Sequence, residues 1–322
     1  MTSYGYDAAD QLTTIGYSDG VTPNVAFTYT ADGQRATMAD GTGTTAYGYD
    51  SRDRLTAQTH GAGRRVGYGY DPASNLTRID YPTTGQTVGR SYDELNRLTG
   101  VSDWLGHTTG FGYDDNSNLS GVAYPTTNGL MATYSHDAAD GLTGIADSAK
   151  VGGVQTPFWS YGYTLDGLGQ VAAVNDPVQP GAVQHTYSRN ALDQLTADAR
   201  TGTGSGTGST SWGYDSAYHT TSRADSTAGT GDTYAVDAAG QPTGLVTKVG
   251  GATRNLTLSY NADGARTGQA DSVSGASASY GYDQADRLVS FASGATTASY
   301  AYDGDGVRAG FLACHLGVLP EV

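Results

Sequence analysis

The residues best equipped for chemistry in this chain are tyrosines and aspartates, and they come in pairs. Tyr6-Asp7, Tyr49-Asp50, Tyr70-Asp71, Tyr92-Asp93, Tyr113-Asp114 and Tyr282-Asp283 each join a phenol to a carboxylate. Two carboxylates facing one another can serve as general acid and base, and a stripe of aromatic rings can stack on sugars. Catalytic carboxylates occur as one specific pair, however, whereas these recur once per unit along the chain. The aspartates are therefore expected to close turns with their own side chains. The tyrosines have two open readings, a cross-strand ladder that holds a sheet together or a carbohydrate platform. Recurrence in every unit favours the ladder, because a binding site needs only a few of them.

Other chemistry has little footing. The histidines, His60, His107, His136, His185, His219 and His315, fall at different phases and mostly between apolar runs. No His-Glu-x-x-His, Gly-x-Ser-x-Gly or Gly-Lys-Ser/Thr occurs, so zincin, nucleophile-elbow and P-loop signatures are missing. Asp303-Gly304-Asp305-Gly306 resembles half a calcium loop, but the carboxylate that a full loop needs at its twelfth place is Cys314. No catalytic, metal or cofactor residue is assigned, and no cofactor is expected.

Composition narrows the class. Charged residues are 15% of the chain, apolar ones 37%, and 24 tyrosines stand against 5 phenylalanines among 47 glycines. This describes a β-rich, extracellular-type chain better than a helical enzyme. A net charge of -15 argues against nucleic acid and against anionic membrane surfaces. No run approaches the about 18 apolar residues of a membrane span, so no membrane insertion is expected. The opening Met1-Thr2-Ser3-Tyr4 shows no signal peptide.

The unit that positions these pairs runs Tyr47-Gly48-Tyr49-Asp50-Ser51-Arg52-Asp53-Arg54-Leu55-Thr56. Tyr47 and Tyr49 share one strand face, Asp53 tolerates a left-handed backbone, and Leu55 restarts the apolar alternation. About fourteen tentative copies follow one another, aligned at Tyr6, Tyr29, Tyr49, Tyr70, Tyr92, Tyr113, His136, Tyr163, Tyr187, Tyr214, Tyr234, Tyr260, Tyr282 and Tyr302. The steps of about 20 to 27 residues are those of repeat architectures. Each unit reads as a strand from Leu-Thr, a Gly-bearing reversal, a strand ending in Tyr-x-Tyr, and the Asp turn. Prolines such as Pro82, Pro125, Pro157 and Pro177 are placed in loops. The low-complexity run Thr201 to Thr210 is placed at a hairpin tip. Some 28 strands at about 4.8 Å each give a sheet of roughly 130 Å, which must twist and curl into a spiral.

Tyr-x-Tyr-Asp-x-x-[Asp/Asn]-x-Leu-Thr at a step near 21 resembles the Rhs or YD repeat. That repeat is found in bacterial Rhs polymorphic toxins, wall-associated proteins, toxin-complex C subunits and teneurins. The resemblance runs from Tyr4 to about Arg308. It implies an all-β fold of tandem β-hairpins forming a curved, spiralling antiparallel sheet, an arc of a hollow shell. It also implies an exported, non-enzymatic scaffold, secreted or at the cell surface. In the intact parent that scaffold would enclose or present a C-terminal toxin domain behind a shell plug. The family's plug motifs and self-cleavage aspartates have no match here, so no protease residues are carried over. The alternative is a surface adhesion or carbohydrate-binding module with glycans as partners. Residues 1–308 are expected to form the repeat array, with Leu55 and the six tyrosine–aspartate pairs as its structural signature. Residues 309–322 lose the pattern and hold the only cysteine, which predicts a truncated or frame-shifted ending. Neither end shows a cap, so unpaired edges are expected to invite association.

Overall fold

Alternating side chains and turn-forming Asp and Gly, with no helical period along the runs, leave extended structure as the way to pair this backbone. A computed structural model describes residues 1–61, 63–176, 183–203, 206–249 and 252–315. It holds 28 strands in one open sheet, from Thr2–Tyr6 to Arg308–His315, and no helix among the described residues. Each strand pairs antiparallel with the next, as in Gly43–Tyr49 with Leu55–Thr59 and Leu55–Thr59 with Arg65–Tyr70. The sheet is thus a meander with two rims. Asp turns line one rim and variable loops the other.

The faces differ. Register places Gly48 opposite Ala57 and Ala46 opposite Thr59 on one face, with Tyr47 opposite Gln58 on the other. The same division recurs in Gly281 opposite Ser290 against Tyr280 opposite Phe291. A sheet with small side chains on one face and bulky ones on the other has a preferred direction of curl.

The curl brings the ribbon back onto itself. The turn between the twenty-seventh and twenty-eighth strands meets the loop between the fourth and fifth. The turn between the twenty-fifth and twenty-sixth meets the loop between the second and third. Both contacts therefore span the same offset of twenty-three strands. The largest buried apolar cluster, Val25, Phe27 and Met38, lies beneath this overlap.

Two placements differ from the sequence reading. Pro157 lies inside the strand Val154–Leu165, opposite Ser148 where the register shifts. A bulge tolerates proline because no ladder hydrogen bond is asked of its nitrogen. Three loose copies are out of phase by two residues. Leu165, Arg189 and Val236, not Tyr163, Tyr187 and Tyr234, end the strands that precede the turns. Pro177 and the middle of the run from Thr201 to Thr210 lie outside the described residues, as does the last part of the 309–322 segment.

Candidate functional site

The tyrosine–aspartate joint follows from the backbone it must complete. At Asp50 the chain turns with Asp53 N–H donating to the Asp50 carbonyl at 3.0 Å and Asp50 N–H to the Arg54 carbonyl at 3.0 Å. This geometry needs a left-handed residue at the fourth place, and Asp53 has φ +63°. Ser74, Asn96, Ser117, Asp286, Gly33 and Gly306 take the same place and conformation in other turns. The Asp50 carboxylate accepts the N–H groups of Arg52 at 2.9 Å and Arg54 at 3.1 Å. Its second oxygen takes the Arg54 guanidinium at 2.8 Å. Asp7, Asp93, Asp114 and Asp283 accept the same two backbone donors of their turns, and Asp71 accepts that of Asn75.

These bonds favour the carboxylate form. The Arg54 side chain, aided by the turn N–H groups, lowers Asp50 to about 2. Asp71 is lowered chiefly by the Asn75 side chain, and Asp93 chiefly by the Arg97 N–H. At Asp114 burial pulls upward, but the Asn118 donors outweigh it.

The strand after the turn opens with a bulge. Tyr49 lies opposite Leu55 and Gly48 opposite Ala57, so Thr56 is the extra residue. Its hydroxyl donates to the Gly48 carbonyl at 3.1 Å. Between repeats the ladder stops at Ala57 opposite Gly67, leaving the Leu55 carbonyl beyond it. The Tyr70 hydroxyl fills that gap, donating to Leu55 O at 2.9 Å. Tyr49, Tyr92, Tyr113 and Tyr282 do the same to Arg35, Leu76, Leu98 and Arg266. Phenylalanine has no donor for this, which accounts for tyrosine at these joint positions. Tyr6 belongs to the first hairpin and is exposed.

A second chain of contacts runs along the Asp rim, through the fifth turn residue, which sequence reasoning did not single out. Arg54 reaches the Asp71 carbonyl at 3.0 Å and Ser74 Oγ at 3.2 Å, with its guanidinium 4.7 Å from the Tyr70 ring centre. Arg97 and Arg287 act alike on Ser117 and the Asp303 carbonyl. Asn75 and Asn118 reach Asn96 and Asp140. The signal was the recurrence of Arg, Asn, Gln or His four places after most turn aspartates, Asp137 with Gly141 and Asp303 with Val307 being exceptions. The histidines also turn out to be engaged. His219 sits at this fifth place against Asp215, His107 takes the equivalent place of a turn on the opposite rim against Asp103, and His185 lies within a strand against Asp198 at 2.9 Å. Among the described residues no group of three His, Cys, Asp or Glu could hold a metal ion.

Among the described residues, the overlap joins the two ends of the ribbon over the longest sequence separation. Asp305 takes Arg35 Nη1 at 2.6 and 2.8 Å, and Gly304 N–H donates to Asp40 at 2.6 Å. Gln284 accepts from Asp19 N–H, and its own N–H donates to Thr22 Oγ1, both at 3.0 Å. A Cβ on Gly304 would stand 2.7 Å from Val25 and 2.8 Å from Met38, so only glycine fits there. The arrangement is a mechanical one, built to hold strand to strand and coil to coil.

Comparison with known proteins agrees. The RHS repeat family model matches residues 49–86 and 70–108. No curated protein matches by sequence. The crystal structure titled TcdB2-TccC3-Cdc42 aligns with a TM-score of 0.64 at 13% identity, over 96% of this chain and 20% of that one. The structure titled TcdB2-TccC3-TEV gives 0.62 at 12% identity, over 98% and 20%. The chain thus spans about a fifth of the length of these solved chains, and at that identity the likeness is one of fold. The family match shows RHS repeats over residues 49–108, and the recurring joint and the coiled sheet carry the same pattern and fold along the rest of the described residues.

Proposed function

We propose that the chain is a wall segment of an Rhs-type shell and that, in its parent, the shell encloses or presents a C-terminal toxin domain. The observation that carries this reading is the coil. A meander whose joints all serve strand pairing, and whose ribbon meets itself after twenty-three strands, has the form of a container wall. Its role is structural, without catalysis of its own. Export to the cell exterior and a plug closing the shell belong to the same reading.

The glycan-platform reading has less support. The hydroxyls of the joint tyrosines Tyr70, Tyr113 and Tyr302 already donate to carbonyls, and guanidinium groups cover their rings.

The test is protease protection in the parent reading frame. A domain encoded downstream should survive protease while the coil is intact and be cut once acid opens it. Cleavage at the rate of the free domain, or no downstream domain at all, contradicts the enclosure reading. Saturable, tyrosine-dependent binding on a glycan array would support the alternative.

A further inference from the structure

One copy of the joint lacks the ring that closes it. Tyr70 ends its strand opposite Leu76 and sends its hydroxyl to the Leu55 carbonyl, beneath the Arg54 guanidinium. In a later copy Val236 takes that place, ending its strand opposite Pro242. The carbonyl in the place of Leu55 is that of Thr220, since Tyr214 lies opposite Thr220 as Tyr49 lies opposite Leu55. The next ladder stops at Ser222 opposite Thr233, so Thr220 stands beyond it as Leu55 does beyond Ala57 and Gly67. Valine has no hydroxyl to give and is shorter than tyrosine by most of a ring.

A cavity of about 440 Å³ lies at this spot. Register makes its lining the counterpart of the Tyr70 surroundings, with Trp212 for Tyr47, His219 for Arg54, Thr220 for Leu55, Tyr234 for Tyr68 and Pro242 for Leu76. Two other copies also lack the tyrosine but carry longer side chains, Leu165 and Arg189, and Leu165 reaches the space where a Cβ on Gly141 would stand. The polar atoms at the vacancy are acceptors. Asp215 takes His219 Nδ1 at 3.1 Å, which in the neutral ring leaves Nε2 without a proton. A Cβ on Gly240 would stand 2.5 Å from that Nε2, so the imidazole edge lies along the cavity wall. Aromatic and aliphatic walls around two acceptors, with a carboxylate close by, suit a neutral ring that carries one hydroxyl donor and disfavour an anion.

We propose that this cavity binds small phenols. The guest ring lies where the tyrosine ring of an intact joint lies, between Trp212 and Tyr234, and its hydroxyl donates to the Thr220 carbonyl as Tyr70 donates to that of Leu55. Binding restores the packing and the hydrogen bond that the valine omits. The inference rests on the joint geometry and is independent of the enclosure reading.

Titrating phenol into the full chain, with the tryptophan indole N–H signals followed by NMR, tests it. The Trp212 signal should shift saturably, while those of Trp104 and Trp159, which lie elsewhere in the sheet, should not. Toluene matches phenol in size but has no donor, and it should bind about fivefold more weakly, the weight of one neutral hydrogen bond. Val236→Tyr supplies the ring from the chain itself and should abolish the phenol response while raising the melting temperature. Val236→Ala only widens the cavity and should keep the response. No saturable shift at Trp212, toluene binding as well as phenol, or a phenol response that persists in folded Val236→Tyr would overturn the proposal.

Discussion

Asp305 holds Arg35 with both carboxylate oxygens, at 2.6 and 2.8 Å, across 270 positions of sequence. The same guanidinium lies 4.6 Å from the Phe27 ring centre, so one arginine joins the late turn to the early apolar cluster. This ion pair is a third or more exposed on each side and contributes modestly by itself. What it fixes is position, because it holds Gly304 over Val25 and Met38.

Gly304→Val should therefore damage the seam more than Asp305→Asn. The added side chain collides with Val25 and Met38, at a cost of about 1–3 kcal/mol for overpacking, against at most about 1 kcal/mol for the exposed pair. Hydrogen exchange of the Arg35–Asp40 strand reads both, and it should quicken more in the valine variant.

The hydroxyl ladder makes a separate prediction. Tyr70→Phe leaves the Leu55 carbonyl without its donor and should cost about 1 kcal/mol in a denaturant melt. Tyr218→Phe, at an exposed turn position, should change nothing measurable.

Tyr218 itself offers a gain. It holds φ +69° at the place where other turns use Asp, Asn, Ser or Gly. A bulky residue in the left-handed region costs about 1–2 kcal/mol, so Tyr218→Asn should raise stability by about 1 kcal/mol. A thermal melt of the variant checks it.

Acid should loosen the joints together. The folded Asp50 carboxyl sits at about 2, below its ordinary 3.8. Its contribution is present above the ordinary value and is lost as pH falls through the folded one. Asp71, Asp93, Asp114 and Asp215 are lowered in the same direction. The denaturation midpoint should thus fall steadily as pH drops from about 5 to about 2, with a shallower slope in Asp50→Asn. Melts at a series of pH values measure the slope.

How much of this was legible follows range in space. The joint could be read because it is local: Asp50, Asp53 and Leu55 answer to hydrogen bonds within five residues, and their spacing repeats. The partner of Arg54 could not, since Ser74 comes alongside only when the register of the neighbouring hairpin is known. The sequence reading foresaw the curl, but Arg35, Met38 and Gly304 meet only because small rotations accumulate over twenty-three strands. Pro157 was misplaced for a similar reason, because a bulge in a long strand has no local signature apart from the proline.

The central claim is that the sheet coils until its late turns rest on its early loops. The most direct measurement is a spin-label distance between Val21→Cys, in the exposed early loop, and Ala285→Cys, in the late turn, with Cys314 replaced by serine. The coil predicts a single narrow distribution at a few nanometres or less. A broad distribution reaching toward the order of 100 Å, as an uncurled ribbon of strands at about 4.8 Å would give, would contradict it.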